Sequence, residues 1–546
     1  MELSFFNKAH KTMLFDQSIK LSAVVISLIL LAPIFFIVMG NFSGTKEYLN
    51  FLSNSDLTEY TKNSFVILSA VLTITLVIGI SSAYIVTFFI FPFSNFFKYS
   101  LLLSFAIPPY IYAYTLSAFF EDYGIAFSIF STLISEEFAN KILPNIGPLL
   151  GSVISLSLTL FGYIFILTRS AFINQSRNHI EVGKSLGFSN YDIFFKVILP
   201  SARPAIFIGL SLVGMETLAD FGTVTFFGVS TFTTGIYNSW FIFDDLKTAN
   251  FLSFFLLFFI LFFFVIESYS RKNIRFHNPS NSSKEEIRKI TLNHSKGLLA
   301  FLFCFFIFFI SFLFPLFQMM YWSINFNDFF QFSEIIKLNV NSIKLIFLAS
   351  ITIILLSFFV NFGIRILDSK FLKFFSSLSI SGYAIPGIVI SVAIISLISS
   401  VDEFLNTNMK NYFIGSLLGL VFGYCIRFYS ISFNTIKTVY LKINKSIDES
   451  ALLLGFNKFK VLKNIHFPIL KKNFAFAFIL ISIEIIKELP ITLILRPFNF
   501  ETFSTKAFNM ASSDLIEGAA IPSLFIILWS SLLIILSIKF FLRDQK

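Results

Sequence analysis

The chain has 546 residues, 56% of them hydrophobic and 13% charged, with a formal net charge of +10 and a mean hydropathy of +0.80. That balance excludes an ordinary soluble domain and any disordered class, and defines an integral membrane protein. The two cysteines, Cys304 and Cys425, both sit inside apolar runs, which indicates neither a disulfide framework nor a thiolate metal site.

Apolar runs long enough to cross roughly 30 Å of hydrocarbon fall at about 21–39, 64–90, 99–119, 147–168, 204–226 and 251–269. A polar linker follows, and a second set runs at about 297–322, 345–364, 374–399, 413–431, 473–489 and 521–541. The expected fold is an all-α membrane protein of about twelve transmembrane helices. It divides into a first repeat (1–270), a linker (271–296) and a second repeat (297–546). The first run is long and lacks a small-x-small cleavage pattern, so it reads as a retained span rather than a signal peptide.

With the N-terminus inside, 31 of the 41 Lys and Arg residues lie on the inner side. The positive charge is therefore mostly topology signal, and no nucleic-acid partner is needed to explain it. Six spans per set bring the second copy into the membrane in the same sense as the first. This makes a parallel duplication with a pseudo-two-fold axis along the membrane normal, and the natural place for a pathway is on that axis.

Two polar islands carry the duplication most clearly. EVGKSLGFSNYDIFFKVILP (181–200) and ESALLLGFNKFKVLKNIHFP (449–468) place an acid (Glu181, Glu449), a glycine (Gly187, Gly455), a phenylalanine (Phe188, Phe456) and a proline (Pro200, Pro468) at one constant offset of 268. The pattern reads as a short helix, a glycine turn, a second short helix and a proline that opens a new helix. Ile193, Phe194, Val197 and Ile198, with Val461, Leu462 and Ile465 in the second copy, give each loop one apolar stripe. Spacing alone leaves open whether that stripe lies on its own protein and the headgroups or docks a partner. Prolines at Pro108, Pro109 and Pro386 mark kinks in the third and ninth spans.

Glu216 and Asp220 in the fifth span, and Glu484, Lys487 and Glu488 in the eleventh, are the ionisable groups expected deep in the bilayer. Each acid pair is spaced i, i+4 on one helical face, and the pairs are again 268 apart. An acid facing lipid costs around 3 kcal/mol, so all four should face protein or water. Converging on the axis, they would suit a hard cation that prefers oxygen ligands. The structural alternative pairs Glu484 with Lys487 and ties the other acids to hydroxyls such as Thr217, Thr223 or Thr225. Glu267, Arg427 and Lys539 are expected near inner span ends, within reach of headgroups. The five histidines are scattered on the cytoplasmic side without metal-ligand spacing; His466 takes the slot of Ile198 and reads as a face residue.

The two islands resemble the EAA loop of bacterial ABC-type importer permeases, departing from Glu-Ala-Ala at Glu181-Val182-Gly183 and at Glu449-Ser450-Ala451. Met215 to Val224 (METLADFGTV), Lys487 to Phe498 (KELPITLILRPF) and Ile107 to Tyr112 (IPPYIY) are similar to stretches of ferric-iron permeases with two fused halves, whose close relatives carry thiamine and phosphonates. The resemblance implies a permease subunit of the bacterial inner membrane with both termini cytoplasmic, and no catalytic residues of its own. Its coupling loops, about 175–203 and 440–472, would dock a cytoplasmic ATPase present in two copies, with ATP and magnesium bound there, while an extracytoplasmic binding protein captures the cargo. No G-x-x-x-x-G-K-[ST] loop occurs, so this chain has no evident means of cradling ATP. A proton-driven secondary transporter, with the acids as relays, is the competing reading; it leaves the duplicated cytoplasmic loop without a role.

Overall fold

The computed structural model describes residues 2–40, 55–121, 124–144, 146–173, 185–273, 289–326, 329 and 331–544. Ten helices among them are long and apolar enough to cross a membrane: Gln17–Val38, Leu57–Phe88, Pro148–Ile173, Tyr191–Ala219 and Leu246–Ser270 in the first half, then His294–Asn325, Phe332–Leu367, Gly387–Leu405, Leu417–Tyr440 and Glu517–Phe540. An eleventh span is a pair, Ser94–Ala106 and Pro109–Leu133, bent by 88°. The helix Phe467–Lys487 stands where the repeat requires a twelfth, but Lys471, Lys472, Glu484 and Lys487 make it too charged for a simple lipid-facing segment. A chain this apolar satisfies its backbone inside helices, because hydrocarbon offers no partner for a free N–H or C=O. The one strand pairing among the described residues is two residues long and parallel, joining Phe89 and Ile90 to Ile290 and Thr291.

Local irregularities repeat as faithfully as the spans. The proline breaks are real: a 3₁₀ turn (Leu101–Ala106) leads through extended Ile107 and Pro108 into helix Pro109–Phe120, and a second (Ile380–Ala384) leads through extended Ile385 and Pro386 into Gly387–Leu405. Thus the ninth span, read as one run, is broken in the same way as the third. A π-turn at Phe194–Ile198 precedes helix Leu199–Ala219, and one at Leu462–His466 precedes Phe467–Lys487. Pro200 and Pro468 lie in the first turn of those helices, where the missing N–H is harmless.

The two halves interleave. The first helix of the chain packs against the second half, where Ser379 Oγ donates to the Ser27 carbonyl at 3.2 Å and Gly363 lies against Ile19. Its counterpart packs on the first half through Phe301 against Phe93 and Phe97, Phe308 against Phe96, and Phe314 against Tyr112 and Phe119. Asn250 and Ser396 exchange hydrogen bonds of 2.9 and 3.0 Å across the same seam. Each half's outer spans therefore embrace the proline-broken span of the other. The broken spans and the charged helices are left facing one another at the centre.

Candidate functional site

Helix Leu199–Ala219 stops one residue before Asp220, whose ψ of 135° turns the chain out of the helix. A short helix, Gly222–Phe226, then starts, and the Asp220 carboxylate accepts from the backbone N–H groups of Thr223 and Val224, both at 3.1 Å, and from Thr223 Oγ1 at 2.9 Å. The second half repeats the device: Phe467–Lys487 ends, Glu488 turns out, and its carboxylate accepts from the N–H of Ile491 and Thr492 at 3.1 and 3.2 Å at the start of Pro490–Leu495. An ionised carboxylate at a helix start neutralises orphan donors and favours the dipole. The expectation that each acid pair shares one helical face is thereby corrected, since the helical period does not extend past Ala219 or Lys487. The structural alternative holds for Asp220, which bonds the Thr223 hydroxyl.

All four acids line one cavity of about 120 Å³ between the halves, together with Pro108, Pro109, Tyr163, Arg427 and Lys487. Arg427 is the residue that sequence reasoning misplaced. Instead of reaching headgroups, it is half-buried here, 3.3 Å from Glu488 and 3.9 Å from Glu216 of the other half. Its partners are remote in sequence, so only an unexplained Arg inside an apolar run could have signalled it. Lys487 Nζ lies 3.6 Å from Glu484, as the i, i+3 spacing allows, and donates across the seam to the Phe105 carbonyl at 3.4 Å. Tyr163 and Tyr383 face each other across it, hydroxyl to hydroxyl at 3.4 Å. Four carboxylates thus do not converge on a single ion: two are committed to helix starts and the others have cationic neighbours. Among the described residues no three His, Cys, Asp or Glu side chains are grouped to hold a metal.

Gly387 shows how tightly the seam is built. A Cβ there would lie 2.5 Å from Glu488 Oε1 and 2.6 Å from an Arg427 nitrogen. Gly387→Ala should therefore push the ion pair apart and destabilise the protein by about 1–3 kcal/mol, as overpacking does; a lowered unfolding temperature in detergent checks it.

The two polar loops are the other repeated feature. Glu181 lies outside the described residues, as does most of the linker. In the second loop, helix Ser446–Leu453 is closed by Gly455 at φ +84°, with the N–H of Phe456 on the Ala451 carbonyl (3.1 Å) and that of Gly455 on the Leu452 carbonyl (3.0 Å). This is a Schellman stop, and a left-handed residue there favours glycine. Gly187 takes the same conformation at φ +80°. Ser189 Oγ and Asn457 Oδ1, 268 apart, then accept from the N–H of Asp192 and Lys460 at 3.1 and 2.8 Å and open the next turn. The apolar stripes turn inward onto the protein itself: Ile193, Ile198 and Val461 are buried. The free apolar surface is instead the turn, with Leu186 and Phe188 exposed in one copy, Leu453 (89%) and Leu454 (78%) in the other, and Glu449 exposed beside them.

A duplicated bundle of broken helices around a charged central cavity is the architecture of a multi-pass membrane protein with a polar cavity between its halves. Residues 75–275 match the model of the family described as binding-protein-dependent transport system inner membrane component. The chain is similar to the Fe(3+)-transport system permease protein FbpB 2 of Haemophilus influenzae, 23% identical over 71% of this chain and 76% of that one. It is also similar to the sulfate transport system permease protein CysT of Escherichia coli, 24% identical over 39% of this chain and 74% of the relative. A probable sulfate permease of Chlorella vulgaris is 25% identical over 28% of this chain and 53% of its own length.

Proposed function

We propose that this chain is the membrane subunit of an ATP-driven importer that passes ferric iron from an extracytoplasmic binding protein to the cytoplasm, powered by a separate cytoplasmic ATPase docked on the two repeated loops. The central cavity carries this reading: its lining has four carboxylates against two cations, a balance that favours a positive cargo over an oxyanion. The iron relative also matches across most of this chain, whereas the sulfate relative from Escherichia coli matches only 39% of it. Capture at high affinity belongs to the binding protein, because a tight ferric site in the route would impede release.

ATP-driven closure of the motor would draw the two loops together and rock the interleaved halves, opening the seam at Arg427–Glu216 and Tyr163–Tyr383 by turns to each face. The test is competition. In cells making the whole system, excess unlabelled ferric iron should abolish uptake of labelled iron, while thiamine, a phosphonate or sulfate leaves it unchanged. Inhibition by one of those in place of iron would sink the substrate assignment.

A further inference from the structure

Beneath the second loop lies a buried polar cluster for which the cavity has no use. Asp448, one residue before Glu449 on helix Ser446–Leu453, accepts at Oδ2 from Arg365 Nε at 2.6 Å and faces His466 Nε2 from Oδ1 at 2.7 Å. His466 is fully buried, and its Nδ1 lies 2.9 Å from the Tyr440 hydroxyl. Burial holds the imidazole below its usual 6.5, against the pull of Asp448. The neutral ring therefore takes one assignment from the network: Nε2–H donates to the carboxylate, and Nδ1 accepts from the tyrosine. Arg365 spends its remaining donors on the carbonyls of Tyr440, Ile443 and Asn444 at 2.8, 3.2 and 3.1 Å, capping the end of Leu417–Tyr440.

His466 is the last residue before helix Phe467–Lys487, which runs about 32 Å at 1.5 Å per residue to end at Lys487 beside the cavity. The cluster thus ties the loop helix to the very helix that delivers Glu484, Lys487 and Glu488. At the matching position of the first half stands Ile198, also buried, whose side chain can make no such hydrogen bond.

We infer that the Asp448–His466 contact, clamped by Arg365, is the positioning link through which the second loop moves the cavity helix, and that the two halves are driven through unlike joints. An apolar contact resists separation but slides. A charge-assisted hydrogen bond is stronger and directional, so the second loop and its helix move as one body. This rests on the coupling role proposed above.

The experiment uses the whole transporter with its ATPase in proteoliposomes, supplied with ferric iron on the binding protein, and reads ATP hydrolysed per ion taken up. His466→Ile installs the side chain of the other half and should raise that ratio at least tenfold, while the ATPase subunit stays bound in a pull-down. His466→Gln, which keeps a donor, should recover part of the coupling. Both rates are taken per assembled complex, so a variant that merely folds in smaller amount leaves the ratio at wild type and overturns the inference. An unchanged ratio in a well-folded His466→Ile protein overturns it equally. If Glu449→Lys also couples normally, the docking role itself is wrong; normal coupling in His466→Ile alone rejects only the link.

Discussion

Glu449→Lys is expected to cut uptake about 100-fold while leaving the amount of folded protein in the membrane unchanged. Glu449 is exposed on helix Ser446–Leu453, next to Leu453 and Leu454, and no ion pair or hydrogen bond of its side chain holds the fold among the described residues. Exposed substitutions of this kind usually shift stability by no more than about 0.5 kcal/mol. The helix itself stays in place, fixed by the Schellman stop at Gly455 and by Asp448 behind it. On the proposed docking face, reversing this charge would set like against like, at several kcal/mol, and each 1.4 kcal/mol is tenfold in affinity. Uptake, membrane content and ATPase activity measured on the same vesicles check the result. Full uptake by the variant would remove the loop from the mechanism.

In the cavity, Glu216→Ala and Asp220→Ala should separate function from folding. Glu216 is 3.9 Å from Arg427 and bonds no helix start, and without it Arg427 keeps Glu488 at 3.3 Å. The fold should survive and uptake should fall tenfold or more, because the seam loses its cross-half ion pair and the route loses a carboxylate. Asp220 differs: its removal strands the N–H groups of Thr223 and Val224 and the Thr223 hydroxyl. Unsatisfied groups of this kind cost about 1–3 kcal/mol apiece, so a loss of roughly 3 kcal/mol, seen as protein missing from the membrane or a lowered unfolding temperature, is expected. Equal folding defects in both variants would make Glu216 structural as well.

Much of the architecture was legible in advance for a local reason. Hydrocarbon forces helices, helices long enough to span leave apolar runs, and a duplication preserved at an offset of 268 repeats its glycine, proline and acid at matching places. The loop stop at Gly455 and the first-turn positions of Pro200 and Pro468 followed because caps depend on residues within a few positions of one another. Helix ends inside the membrane could have been read the same way. Pro490, two residues after Glu488, marks a helix start, and Thr223, three after Asp220, completes a capping pattern. A single helical period running through both would keep the two acids of each pair on one face, and the helix ends break it.

Other features depend on what folding brings together. Arg427 meets Glu216 and Glu488 across 211 and 61 residues, and His466 meets Asp448 and Tyr440, with Arg365 on the far side of Asp448, so that four separate elements meet there. Spacing along one helix names the neighbours a side chain has on that helix and is silent on those it meets across an interface. By itself, then, the sequence determined the solvent this protein lives in, its doubling and the handles it offers on one side. Which charges neutralise one another at the centre, and how one handle is fastened to the helix above it, were decided only when the two halves folded around each other.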